Sequence, residues 1–247
     1  MARRAIVFLG LLLLVVPAVS QAACPVLDIA DYDGAADGSD TSPALKAAVK
    51  AALGGCSKVI RFGAGTYHFT TPPPTLTGGV SLVGQGKSTT VLERDYSDGE
   101  FLVVREQGTR LQDLTLWAGP GTSGGVALHL IADAAAAGGN HVIESVWITG
   151  PGAWTLPLFL DGLNRTMAPI GIRTVTLIDV SVFQATRWAA EWWNAVGCTW
   201  SGGGAYQGSG MTDRIVVGGA LSQLNLIDAI IDPNSAIWPG ALRAPIR

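Results

Sequence analysis

Between Asp31 and Leu92 the chain passes from a Gly/Asp-rich loop through one short helical pattern into three short apolar segments, each closed by glycine or proline. No other stretch restricts the fold as much. A lone helix followed by strands of about four residues is how a coil of strands begins, with the helix covering its open end. Ser42 is the expected N-cap, and Pro43 takes the first helical position, where a missing N–H costs nothing. Leu45, Ala48, Val49 and Ala52 share one face. Gly54 and Gly55 are expected to end the helix in a left-handed cap. A helix over 43–53 is too short to be stable alone, so its apolar stripe must lie on something. Val59–Phe62, Thr66–Phe69 and Val80–Val83 then read as strands, punctuated by Gly63-Ala64-Gly65, Pro72-Pro73-Pro74 and Gly84-Gln85-Gly86.

Strand pairs recur after Leu92. Their first members begin at residues 101, 126, 156, 189 and 214, which are 25, 30, 33 and 25 apart. A recurrence at that period, without helices between, predicts a solenoid of about six or seven coils. Alternation inside the strands (Leu111, Leu114 and Leu116; Ile143 and Val146; Val175, Leu177, Ile178 and Val180) supplies a stacked core. The expected organisation is an N-terminal strand and capping helix over 24–55, a parallel β-helix over 56–232, and an irregular cap or tail over 233–247, where Pro233, Pro239 and Pro245 break strands.

Composition fits many short buried strands joined by tight turns: 32 glycines, and only 14% charged residues. A net charge of −3 without a basic cluster argues against nucleic-acid binding. Arg3 and Arg4, the apolar run from Ala5 to Val16 and the small residues to Ala23 read as a secretory signal peptide over 1–23. The run is too short to span a bilayer, so a secreted or periplasmic chain without stable membrane insertion is expected. In that setting Cys24 and Cys56 either bridge, stapling the N-terminal strand to the cap, or stay unpaired as small hydrophobes. Cys198 has no evident partner, and the cysteine and histidine spacing carries no zinc signature. Asn164-Arg165-Thr166 is a formal glycosylation sequon.

The run Gly34-Ala35, Asp37-Gly38, Asp40-Thr41, Ala44-Leu45, Ala48-Val49, continued by Phe62-Gly63, Gly65-Thr66-Tyr67 and Val80-Ser81-Leu82-Val83-Gly84-Gln85-Gly86, resembles the N-terminal signature of the pectate lyase superfamily. The resemblance covers roughly residues 28 to 92. It implies an all-β, right-handed, single-stranded parallel β-helix with an N-terminal capping helix. It also implies polysaccharide as partner, and lyase or glycoside hydrolase activity. The polygalacturonase-like motifs (Asn-Thr-Asp, Asp-Asp, Gly-His-Gly, Arg-Ile-Lys) are absent, so no catalytic residue carries over from the family, and a non-catalytic glycan-binding or structural β-helix stands as the alternative.

Strand alternation nominates the site. With Leu102/Val104, Leu128/Leu130, Leu158/Leu160, Ala190/Trp192 and Ile215/Val217 inward, the outward set is Arg105, His129, Phe159, Asp161, Glu191 and Trp193. Asp161 and Glu191 are expected as near neighbours on adjacent coils. Such a pair could hold Ca²⁺ or serve as acid and nucleophile on a sugar, with His129 and Arg105 further along the groove. Trp193 and Phe159 would contact substrate. The same residues also fit ordinary solvated side chains on a sheet face. Trp188, Trp192, Trp193 and Trp200 fit either sugar stacking or a tryptophan-rich core.

Overall fold

The computed structural model describes residues 24–132, 138–162, 171–206, 214–218, 222–231 and 236–239. The expected signal peptide and the sequon lie outside these residues. The chain forms a right-handed parallel β-helix. All strand pairs are parallel, and they build two sheets, one of twelve strands and one of six. The short sheet stacks Glu100–Arg105, Val126–Ala132, Leu156–Gly162, Ala190–Trp193, Arg214–Gly218 and Ala236–Pro239 in that order. The last of these lies within the stretch expected as an irregular cap or tail.

The inward registers match the alternation except at Ile178, which follows inward Leu177, so it points outward and is 39% exposed. Leu102, Leu128, Leu158, Ala190 and Ile215 pair in one row, and Val104, Leu130, Leu160, Trp192 and Val217 in the next. All ten are buried. The long sheet faces them with Leu82, Leu111, Ile143, Leu177 and Trp200. Each buried aliphatic side chain contributes roughly 1.5–3 kcal/mol, so the core is a continuous column that no single coil could bury alone.

The helix, Ser42–Gly54, buries Ala44, Leu45, Ala48, Val49 and Ala52 as expected, but both of its ends differ. Its N-terminus is held by Asp40, whose Oδ1 accepts from the Ser42 amide at 3.1 Å and the Ser42 hydroxyl at 2.6 Å, and from the Thr70 amide at 3.0 Å. Asp40 and Ser42 together tie the cap to the first coil, since the Ser42 hydroxyl also lies 3.0 Å from Thr71 O. Gly55 is extended rather than left-handed. Lys58 Nζ satisfies the terminal carbonyls instead, donating to Ala52 O at 2.8 Å and Leu53 O at 3.3 Å. Cys24 and Cys56 form a disulfide closing a loop with a separation of 32 residues. By loop entropy this contributes about 3–4 kcal/mol.

The long strands turn corners at single left-handed residues, in pairs five apart: Gly108 and Asp113, Asn140 and Ser145, Thr174 and Asp179, Gly197 and Gly202. Gly, Asn and Asp adopt this region at least cost. Close packing at these corners forbids side chains elsewhere. A Cβ on Gly84 would stand 2.1 Å from the Asp113 carbonyl oxygen. Gly84→Ala is therefore expected to cost about 1–3 kcal/mol in urea denaturation. An unchanged midpoint would contradict this approach of neighbouring coils.

Candidate functional site

On the outer side of the short sheet, two rows run across the coils. One is Val103, His129, Phe159, Glu191 and Val216, and the other is Arg105, Ile131, Asp161, Trp193 and Gly218. All six expected residues thus stand on one face. Asp161 and Glu191 stand on adjacent paired strands, diagonally: Asp161 pairs with Trp193 and Glu191 with Phe159. Matching Leu160 with Trp192 in the core sets that register, and a slip to bring the acids together would break it.

These groups are not solvated side chains. His129, Asp161 and Glu191 are only 6%, 7% and 7% exposed. Phe159 and Trp193 are half-buried, and Arg105 is exposed. His129 Nδ1 lies 2.5 Å from Glu100 Oε1, and its ring stacks on Phe159 with centroids 4.5 Å apart and planes at 14°. Its Nε2 makes no hydrogen bond among the described residues and faces Asp161 Oδ2 at 3.8 Å. Asp161 Oδ1 is likewise unmatched. Buried polar atoms left unpaired cost about 1–3 kcal/mol each.

The Trp193 indole N–H donates to Glu191 Oε1, while its ring lies over Gly218, where a Cβ would come within 2.8 Å of it. Glu191 also lines a cleft of about 380 Å³ with Asp98, Thr155, Leu156 and Trp188. Arg187 stacks over the Trp188 ring at 3.7 Å on the same rim. The tryptophan cluster divides between its two readings. Trp192 and Trp200 are core, with centroids 5.8 Å apart, whereas Trp188 and Trp193 are half-exposed at the site.

Sequence reasoning missed Asp98, in the turn before Glu100–Arg105, and Glu100, the first residue of that strand, which has the parity of inward Leu102. It also missed a trio on the long sheet. His68, Glu93 and Asp95 bring their ligand atoms within 4.8 Å of one another, and these residues, rather than the diagonal Asp161 and Glu191, could hold a metal ion. His68 Nδ1 is 2.6 Å from Asp95 Oδ2 and 3.8 Å from Glu93 Oε2. Burial, then the Asp95 charge, holds the Glu93 carboxyl above its ordinary value against the pull of His68. A usable signal existed: His68 and Glu93 are 93 − 68 = 25 residues apart, a spacing at which the strands recur, and they pair in register.

No family model matches the chain, and no curated protein sequence is similar to it. Among solved structures, the A-module of the Azotobacter vinelandii mannuronan C-5 epimerase AlgE6 superposes with a TM-score of 0.63 at 17% identity, over 83% of this chain and 56% of that one. The catalytic domain of Agl-KA gives a TM-score of 0.48 at 13% identity, over 87% of this chain and 44% of that one. The catalytic unit of the GH87 alpha-1,3-glucanase from Streptomyces thermodiastaticus gives 0.33 at 16%, over 85% and 48%. The chain thus spans little more than half the length of the epimerase module, with which it shares the fold of a right-handed parallel β-helix.

Proposed function

We propose that this chain is an exported, pectate-lyase-like β-helix protein that acts on a polysaccharide at the outer face of the short sheet. The observation that carries the reading is the buried, unsatisfied pair His129 Nε2 and Asp161 beside the Glu191–Trp193 contact and its cleft. Sugar rings present apolar C–H faces and many hydroxyls. Half-exposed Trp188 and Trp193 offer the first an aromatic surface, and Glu191 and Asp98 offer the second acceptors. His129, with Nδ1 turned to Glu100, can present Nε2 as a base to a sugar proton, which suits lyase-type chemistry better than a pair of hydrolytic carboxylates. The epimerase named above acts on mannuronan, a polysaccharide, on a helix of the same kind. The Cys24–Cys56 bridge supports an oxidising compartment, and no helix among the described residues is long and apolar enough to cross a membrane.

A non-catalytic glycan-binding protein is the second reading. It is favoured by the same burial, since groups 6–7% exposed meet a polymer only through a narrow opening. A panel of acidic and neutral polysaccharides, assayed for new reducing ends and for the ultraviolet absorbance of unsaturated products, separates the two. On an active member of the panel, Asp161→Asn should abolish turnover, and Trp193→Ala should weaken retention by about tenfold, the value of one aromatic contact. If both variants match wild type on every glycan, this face is not the site.

A further inference from the structure

We propose that Glu100 is a positioning residue that fixes the tautomer and orientation of His129, an inference that rests on the short-sheet face being the working site. Its Oε1 lies 2.5 Å from His129 Nδ1. A carboxylate accepts only, so at that distance Nδ1 must carry the proton, and in the neutral ring the lone pair then falls on Nε2. Nε2 is the atom left without a partner, and it faces Asp161 across 3.8 Å. With the opposite tautomer, a lone pair would confront the Glu100 carboxylate at hydrogen-bond distance while an N–H pointed across a gap too wide to bond. The face-to-face Phe159 contact holds the ring plane, so Glu100 is left to decide the tautomer.

The corner that carries Glu100 is itself fixed, as a positioning role requires. The Tyr96 hydroxyl donates to Glu100 O at 2.8 Å. Arg94 is fully buried and stacks its guanidinium over Trp154 at 4.2 Å. It donates to Gly99 O at 3.3 Å and to Gly124 O at 2.7 Å, joining the turns that start two successive strands of the short sheet. Gly125 lets those turns meet, since a Cβ there would stand 2.0 Å from Gly99 O. Glu100 is thus aimed at His129 by a buried cation, although its own side chain is 44% exposed and contributes little to the core.

The test uses the chain's three histidines, which make the imidazole ¹⁵N spectrum simple to assign. In its neutral ring, His129 should show a protonated Nδ1 and an unprotonated Nε2. Glu100→Ala should move His129 toward the other tautomer and leave His68 unchanged. Glu100→Gln, which keeps an acceptor oxygen, should restore the wild-type signature. On a polysaccharide that wild type processes, Glu100→Ala should lower kcat at least about tenfold with KM held, the scale of a misplaced proton acceptor. An unchanged His129 spectrum in Glu100→Ala overturns the proposal whatever the activity. A shifted spectrum in a protein that processes no polysaccharide upholds the positioning and overturns the functional reading instead.

Discussion

Leu45→Asp should leave the protein unfolded or close to it. Leu45 is fully buried on the inner stripe of the capping helix, packed with Ala48, Val49, Ala52 and the first coil. Removing a buried leucine costs about 2–5 kcal/mol. An unpaired carboxylate in its place adds a further desolvation cost. The sum is about 4 kcal/mol or more, against a total stability of about 5–15 kcal/mol for a domain of this kind. The matched control is Leu53→Asp on the same helix. Leu53 is 45% exposed, so that change should move the melting temperature little. If both variants melt like wild type, the helix does not cover the end of the core.

Acid should destabilise the protein through His141. This ring is fully buried in the inward row beside Val175, without a side-chain partner. Burial drives its pKa down to about 4, offset only in part by the Glu106 carbonyl. The ordinary value is 6.5, so the unfolded chain binds the proton more readily than the folded one. The stability associated with neutral His141 is present in full above pH 6.5 and is lost as pH falls from there toward 4. The full loss is about 3 kcal/mol, from 1.36 kcal/mol per pKa unit. His141→Leu removes two buried ring nitrogens and keeps the volume, so it should equal or exceed wild type at neutral pH. Urea midpoints between pH 7 and 4.5 should fall more steeply for wild type. Parallel curves would show that His141 does not carry the acid sensitivity.

What was legible in the residues follows from which forces act locally. The inward rows through Leu102, Leu128 and Leu158 could be read because period-two alternation is imposed on every coil by the same core. The capping stripe at Leu45, Ala48, Val49 and Ala52 could be read for the same reason. The cap itself could not: Asp40 accepts from both the Ser42 and the Thr70 amides, and Thr70 is a partner 30 residues away. The corners at Asn140 and Ser145, or at Thr174 and Asp179, carry a five-residue spacing that hydrophobic patterning does not report, since their cause is a positive φ. On the short sheet, the shared outer face of the six candidate residues was legible, but register was not. Loops of unequal length slide one strand against the next, and only the core match of Leu160 with Trp192 places Asp161 beside Trp193 and diagonal to Glu191. Glu100 was invisible because it opens its strand at the parity of inward Leu102, yet its carboxylate reaches His129 in the outward row.

The most direct measurement is a crystal structure of Asp161→Asn, the variant expected to hold substrate without turning it over, soaked with oligosaccharides from an active or retained polysaccharide. The account predicts a sugar ring in the cleft lined by Asp98, Trp188 and Glu191, with a hydroxyl or ring hydrogen directed at His129 Nε2. Sugar bound only on the long sheet, beside Trp117 or the His68–Glu93–Asp95 trio, would contradict it.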